Sequence, residues 1–124
     1  MQQIQMPVLI IILSGLCVSC SNETKISFSQ QVMPILKESC FPCHQAGGVG
    51  ELASGLNVEN YQNLMKGTKI GPVIQPGQSF ASTLQVLVDH KADGAISMPK
   101  GGNKLSKEKI EIIGKWIDQG AKNN

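Results

Sequence analysis

Apolar positions along this chain recur at helical spacing, and no stretch alternates at the two-residue period of a strand. Val32 to Ser39 reads as a short helix with Pro34 near its start, where a missing N–H is tolerated. Val58, Tyr61, Leu64 and Met65 share one helical face, which Asn57 can cap and Gly67 ends. A further helix carries Leu84, Val86, Leu87 and Val88, is capped by Ser79 or Ser82, and ends near Asp89 and His90. In the last helix Ile110, Ile113 and Ile117 form a buried stripe at i, i+3 and i+7, flanked by Ile112 and Trp116. Ser106 caps it and Gly120 stops it. Loops rich in Gly and Pro separate these segments: Gly47-Gly48-Val49-Gly50, Gly71 to Gly77, and Ala92 to Asn103. The pattern predicts an all-α domain of about four short helices, without internal repeats or low-complexity tracts.

Ahead of the helices, Val8 to Leu16 is apolar but short. A spanning helix needs about 20 apolar residues, whereas a shorter run fits the apolar part of a secretory signal peptide. The small residues before Cys20 resemble a bacterial lipoprotein signal, which implies cleavage before Cys20 and a lipid on that cysteine. The run departs from that signal at Cys17 and in carrying no Lys or Arg ahead of it. The expected organisation is a signal peptide over 1–19, a tether over 20–27 and a folded domain over 28–122. A soluble secreted form and an uncleaved anchor are the other two outcomes. All three place the domain outside the cytoplasm, and the first makes it a periplasm-facing or cell-surface membrane lipoprotein of a bacterium.

With 124 residues, one domain is expected. A domain of this size buries limited surface. Its large aromatic side chains are only Trp116, Tyr61, Phe28, Phe41 and Phe80, against 13 glycines. That balance suits a core partly filled by something other than protein. The net charge of +2 is too small to argue for nucleic acid, and every basic side chain is Lys, without the Arg that bidentate phosphate recognition favours.

The four cysteines form two C-x-x-C pairs of unequal character. Cys17 and Cys20 lie in the apolar leader. Cys40-Phe41-Pro42-Cys43 is followed by His44, and C-x-x-C-H is the pattern of covalent haem attachment. Two thiols at that spacing add to the two vinyl groups of haem, and the adjacent imidazole reaches the iron from the same side. A zinc site would need a fourth ligand. A thioredoxin-like dithiol expects a βαβ context that no strand pattern supplies. A Cys40–Cys43 disulfide would close a very small loop and gain little. The sequence therefore favours one covalent haem c on Cys40 and Cys43, with His44 as proximal iron ligand.

For the other side of the iron, Met98 stands in a Gly-rich loop and is followed by Pro99, which prevents helix continuation. Met33 and Met65 lie on helical faces, where Met usually fills core space. His90 offers bis-His ligation, or simply a cation at a helix end. Met98 is the expected distal ligand, and Met/His ligation raises the reduction potential. A metal-bound His donates its other N–H to an acceptor, for which the Gly71-Pro72 carbonyls are candidates.

The chain resembles the class I cytochrome c superfamily and most closely the planctomycete-type cytochrome c domain, from about Phe28 to Ala121. The likeness rests on Val32-Met33-Pro34-Ile35-Leu36 before the Cys40 motif, then Gly55-Leu56, Gly71 to Gly77, Ser82-Thr83-Leu84, Met98-Pro99 and Leu105. It closes with Trp116 to Ala121. The resemblance implies a small all-α fold wrapped around one haem, with first and last helices crossing beside it, Trp116 packed at the crossing and Gly114 allowing close helix approach. It implies attachment at Cys40 and Cys43 and ligation by His44 and Met98. Trp116 and, through its candidate carbonyl, Pro72 are expected among the residues around the cofactor, Pro72 otherwise only shaping its loop.

Such a domain is expected to be a one-electron carrier rather than an enzyme, since two protein ligands leave no open iron position. Lys100, Lys104, Lys107 and Lys109 follow Met98 closely; they read first as the solvated, Lys-rich start of the last helix, and as a second reading they form a positive rim that steers an acidic redox partner. The alternatives are a binding or assembly module with a structural haem, and a gas- or peroxide-responsive haem protein with an open iron. No nucleic-acid partner is expected; the membrane is reached through lipid on Cys20.

Overall fold

In a computed structural model, residues 23–124 are described. The signal peptide expected over 1–19 and the lipid expected on Cys20 fall on residues outside them. The described residues are helical and contain no strand. A π-helical turn over Phe28–Val32 leads into α1 (Met33–Ser39), followed by α2 (Phe41–His44), α3 (Val49–Ser54) and α4 (Tyr61–Lys66). A 3-10 turn over Ser79–Ala81 then precedes α5 (Thr83–Val88) and α6 (Lys107–Asp118). The α-helical segments among the described residues thus exceed the four expected, because α2 is a single turn and α3 rises from the Gly47–Gly50 stretch read as loop. No helix among them is long and apolar enough to cross a membrane.

The first and last helical segments build one side of the core. Ser27 caps the N-terminal turn by accepting a hydrogen bond from the Gln30 N–H. Phe28, Val32 and Leu36, at i, i+4 and i+8, are buried together with Ile35. Ser106 caps α6 as its sequence predicts, accepting from the Lys109 N–H, and Ile110, Ile113, Trp116 and Ile117 are buried along it. The fully buried Leu36, Leu64, Ile113 and Ile117 each contribute about 1.5–3 kcal/mol through area removed from water. Trp116 and Phe28 stack with ring centroids 5.2 Å apart, and Tyr61 meets Phe28 edge-on at 5.2 Å. The Trp116 Nε1–H donates to the Lys122 carbonyl at 2.9 Å and the Tyr61 hydroxyl to the Ala121 carbonyl at 2.8 Å. Both polar tips are thereby paired inside an apolar cluster. Met33 and Met65 pack against this core, as expected.

Ile26, at the end of the tether expected over 20–27, is buried, and its N–H donates to Gln119 Oε1 at 2.8 Å. Asn57 does not cap α4. The cap is Asn60, which accepts from the Asn63 N–H at 2.8 Å, because Val58 is already committed to an extended contact with the His44 carbonyl. Ser82 precedes α5 but makes no capping bond. Its buried hydroxyl instead accepts from the Gln75 N–H at 2.8 Å and donates to the Gln78 carbonyl at 2.9 Å. Gly114 faces the Gln85 side chain of α5, where an added Cβ would lie 3.2 Å from Nε2, so the close approach that it allows is to α5.

Candidate haem-binding site

The C-x-x-C-H segment is positioned by the junction of α1 and α2. The Cys40 N–H donates to the Leu36 carbonyl at 2.8 Å, and the His44 N–H to the Cys40 carbonyl at 2.8 Å. Pro42 stands in the first turn of α2, where its ring is tolerated. Helical spacing then puts Cys40, Cys43 and His44, at i, i+3 and i+4, on one face.

His44 is 8% exposed. Its Nδ1 lies 3.1 Å from the Leu56 carbonyl oxygen, to which it donates. In the neutral ring that bond selects the tautomer with its proton on Nδ1, so that the lone pair of Nε2 is the one offered to a metal. The carbonyl was expected from Gly71-Pro72. The Gly71 oxygen is taken by the Thr68 N–H at 2.8 Å and the Thr68 hydroxyl at 3.1 Å, which close their own turn. The sequence signal for the true partner was Gly55-Leu56. Gly55 ends α3 in the left-handed region (φ 81°) and turns the chain back toward the imidazole. α3 itself presents Gly50 to the ring, and a Cβ there would meet His44 Cε1 and Nε2 at 2.8 Å.

Two adjoining cavities open beside His44, of about 290 and 120 Å³. Cys40, His44, Ser54 and Met98 line both, which makes them lobes of one cleft. Cys43, Gly50 and Lys100 border the outer lobe. The inner lobe is closed by Val58, Val73, Leu84 and Val88, all buried aliphatic residues. Pro72 and Trp116, expected around the cofactor, do not line the cleft. Pro72 is exposed beside Val73, and Trp116 lies in the aromatic cluster with Phe28 and Tyr61.

Met98 is held by its backbone on both sides. Its N–H donates to the Leu87 carbonyl at 3.1 Å, and its carbonyl oxygen lies 3.0 Å from Nε2 of His90. His90 is therefore engaged with the backbone of Met98 and does not line the cleft.

Burial, and then the neighbouring Cys43, push the Cys40 thiol up to about 11. A nucleophilic redox dithiol needs the opposite shift. Among the described residues, no three His, Cys, Asp or Glu side chains converge as a metal site, so the zinc reading finds no ligand cluster there. Two thiols, an imidazole oriented through Nδ1, a thioether in the same cleft and aliphatic walls are chemistry that suits haem.

Three of the four lysines that follow Met98 are engaged in ion pairs. Lys109 pairs with Glu38 at 2.7 Å, Lys104 with Asp89 at 3.1 Å and Lys107 with Glu111 at 3.7 Å; of the four, only Lys100 lines the cleft.

A family model described as planctomycete cytochrome C matches residues 40–102. The matched span begins at Cys40 and ends just beyond Met98-Pro99, so it contains both proposed ends of the site. No curated protein and no solved structure matches the chain.

Proposed function

The chain belongs to the planctomycete cytochrome c family, and on that footing we propose that it is an exported, mono-haem c-type cytochrome acting as a one-electron carrier. Cys40 and Cys43 would hold the haem through thioethers, with His44 and Met98 as axial ligands. When bound, the haem supplies a one-electron redox centre whose potential Met/His ligation raises. The residues supply the rest. Leu56 orients the His44 ring, α3 and α5 wall the cleft with apolar atoms that exclude water, and the Leu87 carbonyl anchors the loop that carries Met98.

The observation that supports this reading most is that His44 and Met98 line both lobes of one cleft, each fastened by a hydrogen bond remote from its ligating atom. A carrier needs that closure, whereas a gas sensor needs an open iron and a catalyst needs nearby acid–base groups as well. The described lining includes no carboxylate. Membrane attachment through lipid on Cys20 and exchange with a partner redox protein complete the proposal.

An optical redox titration of the haem-loaded protein, run with and without carbon monoxide, tests it. A reversible one-electron wave unchanged by carbon monoxide is expected, with Met98→Ala lowering the potential and admitting the gas. Carbon monoxide binding by the unmodified protein would reject the carrier reading in favour of a responsive haem.

A further inference from the structure

α5 ends in an unusual way. The Lys91 N–H donates to the Val86 carbonyl at 3.0 Å and the His90 N–H to the Leu87 carbonyl at 3.2 Å, the bond pair of a Schellman turn with His90 at its left-handed position. Glycine is the residue that suits this position, yet the chain carries His90 there at φ 54°. Its ring is exposed, so burial does not account for the choice. What the ring does reach is the Met98 carbonyl oxygen, 3.0 Å from Nε2. The same helix end holds the Met98 N–H through Leu87.

We propose that His90 is a positioning residue that holds the Met98 loop closed over the cleft, so that the thioether resists displacement by outside ligands. This rests on Met98 being the distal iron ligand. A strained backbone kept for one hydrogen bond is what a device at a functional site looks like. The bond restrains the peptide that follows the ligand, while the Leu87 carbonyl restrains the peptide that precedes it. Loss of the imidazole frees one side of Met98 without touching the cleft walls.

Cyanide binding to the oxidised, haem-loaded protein, followed at saturating cyanide, reads how fast Met98 leaves the iron. His90→Gly removes the donor and relaxes the backbone; His90→Gln keeps an N–H donor. The limiting rate is expected to rise about fivefold in His90→Gly, the size of one lost hydrogen bond. In His90→Gln it is expected to stay within about twofold of the parent, its N–H replacing the lost one. An unchanged or slower rate in His90→Gly, as relief of strain alone would give, overturns the role while leaving Met98 ligation intact. If the parent protein lacks the sulfur-to-iron charge-transfer band, and Met98→Ala leaves its spectrum unaltered, ligation and the His90 role fall together.

Discussion

The imidazole of His44 donates from Nδ1 to the Leu56 carbonyl oxygen across 3.1 Å, and that single bond decides which ring nitrogen faces the cleft. Leu56 is delivered by a chain of local causes. α3 stops at Gly55, whose left-handed backbone reverses the chain, and Val58 then donates its N–H to the His44 carbonyl at 2.9 Å. Ring and backbone of the same residue are thus fixed by one short segment. A ligand held in this way enters the cleft with its orientation already set.

The other side of that ring faces Gly50. A methyl group there would lie 2.8 Å from Cε1 and Nε2 of His44 and 3.0 Å from the Cys43 carbonyl oxygen. Neither neighbour is the loose end of a flexible side chain. Gly50→Ala is expected to destabilise the domain by about 1–3 kcal/mol through overpacking, and to lower the yield of haem-loaded protein. Thermal melts and the ratio of haem to protein absorbance measure both. Wild-type values for the two would show that the ring does not need that space.

Much of this site was legible from residue order. The adjacency of Cys40, Cys43 and His44 becomes one helical face as soon as a turn forms, and the Ile110–Ile113–Ile117 stripe with Ser106 marks α6 without ambiguity. What could not be read was the choice between equivalent local options. Asn57 and Asn60 both suit a cap, and the long-range pull of His44 on Val58 selects the second. Ser82 stands where a cap belongs, yet the Gln75–Gln78 turn claims its hydroxyl. α3 lacks a buried apolar stripe, with Val49 and Leu52 exposed, so periodicity had nothing to report.

Trp116 separates stability from redox behaviour, because it is buried against Phe28 and is not among the residues that line the cleft. Trp116→Phe keeps an aromatic ring and loses the bond to the Lys122 carbonyl, at an expected cost of about 0.5–1.5 kcal/mol. Trp116→Ala also empties the site, for about 3–5 kcal/mol. Denaturant melts should rank the two in that order, with the midpoint potential of each folded variant matching the parent. Equal costs for both variants would contradict this account of the cluster.

Asp89 joins the end of α5 to the loop beyond Met98 through Lys91 at 2.7 Å and Lys104 at 3.1 Å. Hydrogen bonds from Lys91 and then Lys104 hold its carboxyl below the usual carboxylate range. A carboxyl depressed by folding adds stability above its unfolded pKa of about 3.9, and that stability is lost as pH falls through the folded value. Asp89→Asn is therefore expected to lower the melting temperature at neutral pH, to leave it unchanged well below the carboxylate range, and to matter less in high salt. Melts across pH test this. A deficit as large in strong acid as at neutrality would mean that the side chain acts by packing and not by charge.

The central claim is that Cys40 and Cys43 carry one haem by covalent bonds. The mass of the purified, fully denatured holoprotein, expressed in a host that attaches haem, tests it most directly. The account predicts the mass of the processed chain plus one haem, lost when both cysteines are replaced by serine. A denatured chain of unmodified mass, from preparations in which other c-type cytochromes are loaded, would contradict it.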